Sequence, residues 1–296
     1  MTAPPDIAPA GGGLRAEALA RRDDILARYP AVFATDTRRR IGIIGIVAAL
    51  LALFVFGFYW LHISWGQVFA GIGRLGEFVT LMLPPSFGTP EKLMHYLSGL
   101  AATLAIAFLG TLLAAVLAMP LGFLAARNVV RNIFAHFAVR RFNDTIRAID
   151  TLIWALIWIN VVGLGPFAGI LAIMTEDLGV FGKLYSEAIE AADAKAVEGV
   201  VSTGGSHLHG IRFGLFPQVL PVLISQVLYY FESNTRSATI IGIVGAGGLG
   251  ANLYEEIQEN NWPQVAFIVL MILITVAVID FISSKLRSSV IGTAKS

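Results

Sequence analysis

The sequence predicts an all-α integral membrane protein with about six transmembrane helices, each long enough to cross a bilayer core of about 30 Å. Three observations carry that prediction. Hydrophobic residues make up 56% of the 296 residues, charged residues 14%, and the mean hydropathy is +0.74. A soluble domain has roughly 45–50% and 25% respectively. The run from Ile41 to Leu61, IGIIGIVAALLALFVFGFYWL, contains no charge, and roughly 20 such residues suffice to span the core. Finally, the cations gather in alternate segments between apolar runs, as cytoplasmic loops do.

The elements follow in order. Residues 1–40 form a polar tail carrying Arg15, Arg21, Arg22, Arg28, Arg38, Arg39 and Arg40. Its length and the arginines at the membrane edge make the first apolar run a span, and not a cleaved signal peptide or a core helix. The spans are expected at 41–61, 98–126, 145–162, 166–184, 215–231 and 265–282. Between the first two, SWGQVFAGIGRLGEFVTLMLPPSFGTPEKLMHY is interrupted by Arg74, Glu77 and Pro84-Pro85, and reads as an interfacial helix followed by a loop. Cations also cluster after span two (Arg127, Arg131, Arg140, Arg141, Arg147), from Lys183 to Arg212, and in the C-terminal tail (Lys285, Arg287, Lys295). Six spans with both termini in the cytoplasm fit these clusters.

Composition excludes several functions. Lys+Arg 21 against Asp+Glu 20 gives a formal charge of +1, so no global field favours nucleic acid. The absence of cysteine removes disulfides, thiolate metal sites and cysteine nucleophiles. No phosphate-binding G-x-x-x-x-G-K-[ST] loop occurs, since Gly182-Lys183 continues with Leu184; any ATP is hydrolysed on another chain. The five histidines are scattered and no metal site is expected. Gly245-Ala246-Gly247-Gly248-Leu249-Gly250 satisfies G-x-G-x-x-G, but neither the downstream acid nor the βαβ units of a dinucleotide site accompany it. In a membrane protein, Gly245, Gly247, Gly248 and Gly250 permit close helix packing, or a broken helix whose freed backbone lines a cavity.

Between spans four and five, a loop at about 185–214 reads as helix, turn, helix. Ala- and Glu-rich residues give way to Thr203-Gly204-Gly205-Ser206, a turn signal. A loop that only crossed between spans would not need such organisation, so this one reads as a docking surface.

Glu198-Gly199-Val200, Gly204 and Phe216-Pro217 resemble the E-A-A-x-x-x-G-x9-I-x-L-P signature of permease subunits of binding-protein-dependent ABC importers. Glu198, Gly204 and Pro217 stand at the signature spacings, whereas Gly199, Val200, Gly214 and Phe216 depart from it. MPLGFLAARN (119–128), GLGPFAGILA (163–172), GKLYSEAIE (182–190), FPQVLP (216–221) and LYYFESNTRSATIIGIVGAGGLG (228–250) look like the phosphonate-transport permease family. The similarity runs from about Leu97 to Ile282.

The resemblance implies a type I ABC importer permease domain over 41–296 with a cytoplasmic coupling helix. It implies a second permease copy in a homodimer or pseudo-dimer, an ABC ATPase dimer that holds ATP and Mg, and an extracytoplasmic substrate-binding protein that delivers phosphonate, phosphite or phosphate. This chain would hold no cofactor and no metal, would bind no nucleic acid, and would be embedded in plasma-membrane lipid. ATPase coupling would fall to Glu198, Gly199, Gly204, Gly205 and Pro217. Glu198 would contact the ATPase or cap the loop, and Gly204 would supply the positive φ of the turn.

Moving an oxyanion through a membrane requires a cation or a helix N-terminus to meet it. Arg236, 19 residues after Pro217, would lie about 28 Å further on if the chain stays helical, in the outer part of the membrane with Glu232, Asn234 and Ser237, and is the cation of that stretch. It either pairs with Glu232 at i, i+4, or lines the substrate pathway, or both. Glu176 and Asp177 fall near the middle of span four. A carboxylate there must be paired with a cation such as Arg236 or carry a proton, and at least one of the two is expected to face a cavity or the dimer interior. The alternatives are a secondary anion transporter, which would show repeated halves with paired broken helices, and a non-transporting assembly subunit. No catalytic cluster points to a membrane enzyme.

Overall fold

The computed structural model describes residues 21–28, 37–62, 64–130 and 132–293, which form helices and short connections. Arg15, Arg131 and Lys295 lie outside the described residues. The chain divides into two compact units, Met1–Arg74 and Leu75–Ser296.

In the first unit, α1 (Arg22–Arg28) opens with Asp23 and Asp24 and closes with Arg28, charges that complement its dipole. Helix α2 (Thr37–Trp60) is 24 residues long, about 36 Å at 1.5 Å per residue. None of its apolar window from Arg40 to Trp60 is buried within the chain, as a helix facing lipid requires. Ser64 and Gln67 exchange hydrogen bonds that start α3 (Trp65–Leu81), and Phe58 stacks on Trp65 across the turn. No residue of α3 is buried, in keeping with the expected helix-then-loop segment.

The second unit is built on α4 (Pro90–Ala125) and α7 (Pro166–Glu190). Thr89 caps α4 by accepting from the Lys92 amide, and Pro90 occupies its first turn, where no intrahelical N–H is needed. Gly99, Thr103, Ala107, Gly110, Ala114, Ala118, Gly122 and Ala125 recur every three or four residues along α4 and are all buried. That stripe of small residues lets helix backbones approach closely: Gly110 lies against Ile173, and Gly122 against Tyr185. Phe181, Tyr185, Leu215, Val219 and Leu223 fill the core next to it.

The expected span 145–162 is two helices, α5 (Ile133–Arg147) and α6 (Thr151–Val162), bent by 86°. Asp150 causes the break, because its side chain accepts from the Leu152 amide and caps α6. The 12 residues of α6 rise only about 18 Å, and with α5 nearly perpendicular to it the expected straight span over 145–162 does not form.

Helix α8 (Ala194–Ser202) follows, then α9 from His207 to Ala246. The α-helical part of α9, Phe216–Ile241, lies between π-helical turns at Gly210–Leu215 and Gly242–Ala246. The expected second short helix of the loop is therefore continuous with the span, and span five runs ten residues past Phe231 to Ile241. Helix α10 (Leu249–Gln258) and α11 (Trp262–Thr293) complete the chain, α11 continuing well beyond Ile282. Among the described residues, four helices are long and apolar enough to cross a membrane, and the count is five if the bent pair α5–α6 is one broken span. Helix α7 has 25 residues, about 37 Å, and carries its charges within them.

Helix α9 breaks from α10 at Gly245, Gly247 and Gly248, whose φ angles are 109°, 78° and 76°. L-side chains rarely adopt such values, and Gly250 packs beside the Thr239 carbonyl. The glycine string is thus a broken helix. Its continuation is fastened to α4: the Leu249 amide donates to Thr103 Oγ1 at 2.8 Å, Lys92 Nζ lies 2.7 Å from Glu256 Oε1, and Tyr96 and Asn261 donate to the same carboxylate.

Burial of Glu256 opposes its ionisation, but these donors outweigh it and hold the carboxyl below the usual carboxylate range. A group with a depressed folded value stabilises above its unfolded value and loses that contribution as pH falls through the folded one. Glu256→Gln is expected to remove about 1.5–3 kcal/mol of local stability. It should be read as faster amide exchange across Leu249–Gln258 at neutral pH. The wild-type chain should lose the same protection only as pH falls below the ordinary carboxylate range, after correction for intrinsic exchange, and equal protection in the variant at neutral pH would refute the latch.

Candidate functional site

The segment from α7 to α9 forms a hairpin whose base is clamped. Asp193 caps α8 through the Lys195 amide. The Gln218 side chain accepts from the Asp193 amide at 3.1 Å and donates to the carbonyls of Asp193 (3.1 Å) and Gly214 (2.7 Å). Arg140 of α5 pairs with Glu190 at 2.8 and 2.9 Å, and Glu190 also accepts from the Arg127 amide. The C-terminal ends of α4 and α7 and the middle of α5 are thereby fixed together where the hairpin begins.

Gly204, in the turn, has φ +89°, and Gly205 packs on the Val200 carbonyl. Glu198 and Gly199 are exposed, and Glu198 makes no side-chain hydrogen bond or ion pair to the described residues. Val201, Leu208 and Phe213 are 45%, 75% and 60% exposed, which leaves apolar side chains uncovered on the hairpin. Val197 instead turns inward onto Gly210 and Gly214. Pro217 lies in the first turn after the π-helical residues, where the wider turn accommodates a residue without an N–H.

A second constellation joins four helices. Asn234 of α9 donates to Thr111 Oγ1 of α4 at 2.8 Å and to Asp177 of α7. Asp177 is 2% exposed. Glu176 accepts from Thr151 of α6, and Trp158 donates to Thr175 at 3.0 Å. The expected pairing of these acids with Arg236 does not occur. Residues 234 and 236 project about 200° apart on one helix, so Asn234 meets Asp177 while Arg236 points elsewhere.

Arg236 lies 3.6 Å from Glu232, the i, i+4 neighbour. Arg287 of α11 approaches the same carboxylate at 3.5 Å, although the sequence assigned it to a cytoplasmic tail. Glu232 is buried between them, Arg236 is exposed and Ser237 half-buried. Beside Arg287 a cavity of about 350 Å³ is lined by Leu184, Ser225, Gln226, Tyr229 and Tyr230. Arg287 escaped sequence reasoning because it follows an apolar run that had already reached span length; the signal was the absence of any helix breaker between Ile282 and Arg287. Gln218, Thr111 and the Glu256 latch act through contacts distant in sequence. No group of three or more metal-ligating side chains occurs among the described residues.

The hairpin between charged but membrane-length helices has a counterpart in known proteins. The family model described as "binding-protein-dependent transport system inner membrane component" matches residues 118–288. The chain belongs to this family. It is similar to the putative phosphite transport system permease protein HtxC of Stutzerimonas stutzeri, 35% identical over 88% of this chain and 91% of the relative. The phosphate-import permease protein PhnE of Mycolicibacterium smegmatis is 33% identical over 86% of this chain, which spans 47% of that protein. An inward-facing MetNI methionine ABC transporter matches with TM-score 0.60 and 20% identity, over 68% of this chain and 99% of the other. That likeness shows the fold, the type I ABC importer permease. The chain is thus a multi-pass inner-membrane transport subunit and not an enzyme; the ATPase and the substrate-binding protein are separate chains of such importers.

Proposed function

We propose that this permease carries phosphorus oxyanions, a class that includes phosphonate, phosphite and phosphate, into the cell. The observation that carries the reading is the similarity to HtxC over nearly the whole length of both chains. Arg236 and Arg287 flanking one carboxylate support an anionic cargo. The ATPase, with ATP and Mg, docks on the exposed face of the hairpin at Glu198, Gly199, Gly204 and Gly205, and Pro217 joins that hairpin to α9. Two copies of the chain form the pathway, with both termini on the cytoplasmic side. Glu232, Arg236 and Ser237 line the pathway, Asp177 and Asn234 brace it, and Glu176 lies at its edge. The glycine break acts as the flexible gate.

The test is uptake by vesicles containing the permease, its ATPase and its binding protein. ATP-dependent accumulation of labelled phosphate, phosphite or methylphosphonate, with none of methionine, is expected. Uptake of methionine and of no phosphorus oxyanion would overturn the assignment.

A further inference from the structure

Two guanidinium groups flank the single buried carboxylate of Glu232, so this cluster carries an excess of one positive charge. Neither arginine donates a hydrogen bond to any described residue, although each guanidinium has five N–H donors. The Arg287 guanidinium lies over the Tyr229 ring, 5.6 Å from its centroid, and its side chain is 22% exposed. It opens onto the cavity of about 350 Å³ that Ser225, Gln226 and Tyr229 also line. Gln226 Oε1 is buried there without a partner, and the Ser225 hydroxyl has none among the described residues.

We propose that Arg287, Ser225, Gln226 and Tyr229 form a binding site for a tetrahedral phosphorus oxyanion within the pathway, with Glu232 as the internal counter-ion that releases Arg287 to it. This rests on the import reading above. The chemistry matches group by group. A planar guanidinium binds two oxygens of such an ion at once, the serine and tyrosine hydroxyls and the glutamine amide donate to the others, and the unpartnered Gln226 oxygen accepts from a P–OH. The ion also neutralises the excess charge. Glu232 sets the strength of binding: held at 3.5 Å from Arg287, it keeps the site from trapping an anion that must move on.

The cysteine-free chain allows a direct test in the complete importer, reconstituted in phosphatidylcholine vesicles with Leu184→Cys as reporter. Labelling by a water-soluble methanethiosulfonate is followed against inorganic phosphate. At about ten times its Kd, phosphate should slow labelling about elevenfold, as single-site occupancy requires. Arg287→Gln should raise the half-protecting concentration at least about tenfold, the scale of a lost charged hydrogen bond, each variant being referred to its own labelling rate without phosphate. Arg287→Lys should restore part of the affinity and Glu232→Gln should tighten it. Absence of labelling in every nucleotide state, or equal protection in Arg287→Gln, overturns the site. So does protection that appears only in phosphatidylglycerol vesicles and does not respond to phosphate, which would assign the cavity to a lipid headgroup. Phosphate or phosphite uptake measured in the same vesicles separates the two ideas: uptake without protection refutes the site alone, and absence of uptake refutes the cargo.

Discussion

Gly204→Val is expected to abolish uptake and weaken ATPase association while the amount of permease in the membrane stays near normal. The residue has φ +89° and nothing lies within 4 Å of where a Cβ would be, so the entire penalty is backbone strain. A left-handed conformation costs an L-residue roughly 1–2 kcal/mol, and a β-branched side chain is a further outlier there. Helix α8 contains no buried residue and has little packing energy with which to resist, so the turn opens and the two arms of the hairpin lose their register. About 1.4 kcal/mol already changes a docking equilibrium tenfold. Gly204→Asn is the discriminating control, since asparagine tolerates this region, and it should retain most of the uptake. Gly214 provides a contrast through packing: an added Cβ there would lie 2.8 Å from the Val197 Cα, so Gly214→Ile should displace α8 bodily although isoleucine fits the family signature. Normal ATP-dependent uptake by Gly204→Val would remove the hairpin from the coupling mechanism.

What was legible in the sequence depended on whether the deciding interaction is local. The first span is legible because Ile41–Leu61 needs no partner but lipid. The turn at Gly204 is legible because a glycine pair flanked by Thr203 and Ser206 encodes its own geometry, and the Glu232–Arg236 pair because i, i+4 is fixed by the helix. The bend at Asp150 was hidden, since one acid in an apolar stretch reads equally as an interior charge or as a cap. The end of span five was placed too early for a related reason: Glu232 looks like a stop until Arg287, 55 residues later, is brought beside it. The partner of Asp177 was missed because sequence supplies the need for compensation but not the helix that meets it, and a neutral amide on α9 stands where a cation or a proton was expected. The same limit concealed the latch of Lys92, Tyr96 and Asn261 on Glu256.

Asn234→Leu is expected to have the largest effect on the stability of the folded permease. Asp177 is nearly inaccessible at a contact of α4, α7 and α9, and the Asn234 amide is its side-chain donor. Thr111 already donates to the Ala107 carbonyl at 2.7 Å, so it survives the change by keeping that bond, whereas the carboxyl is left without compensation. Leaving a buried polar group unsatisfied typically costs about 1–3 kcal/mol, more for a charged one, enough to reduce the membrane level of a marginal domain. Asp177→Asn, in contrast, keeps an acceptor of the same shape and should be tolerated. The pair of variants Asp177→Leu and Asn234→Leu in one chain decides the role of the contact. Replacing both partners by apolar groups can be nearly neutral, so recovery of both protein level and uptake would make this polar layer a brace between helices. Recovery of level without uptake would place Asp177 in the path of the substrate. An unchanged melting temperature for the single Asn234→Leu variant would contradict the contact itself.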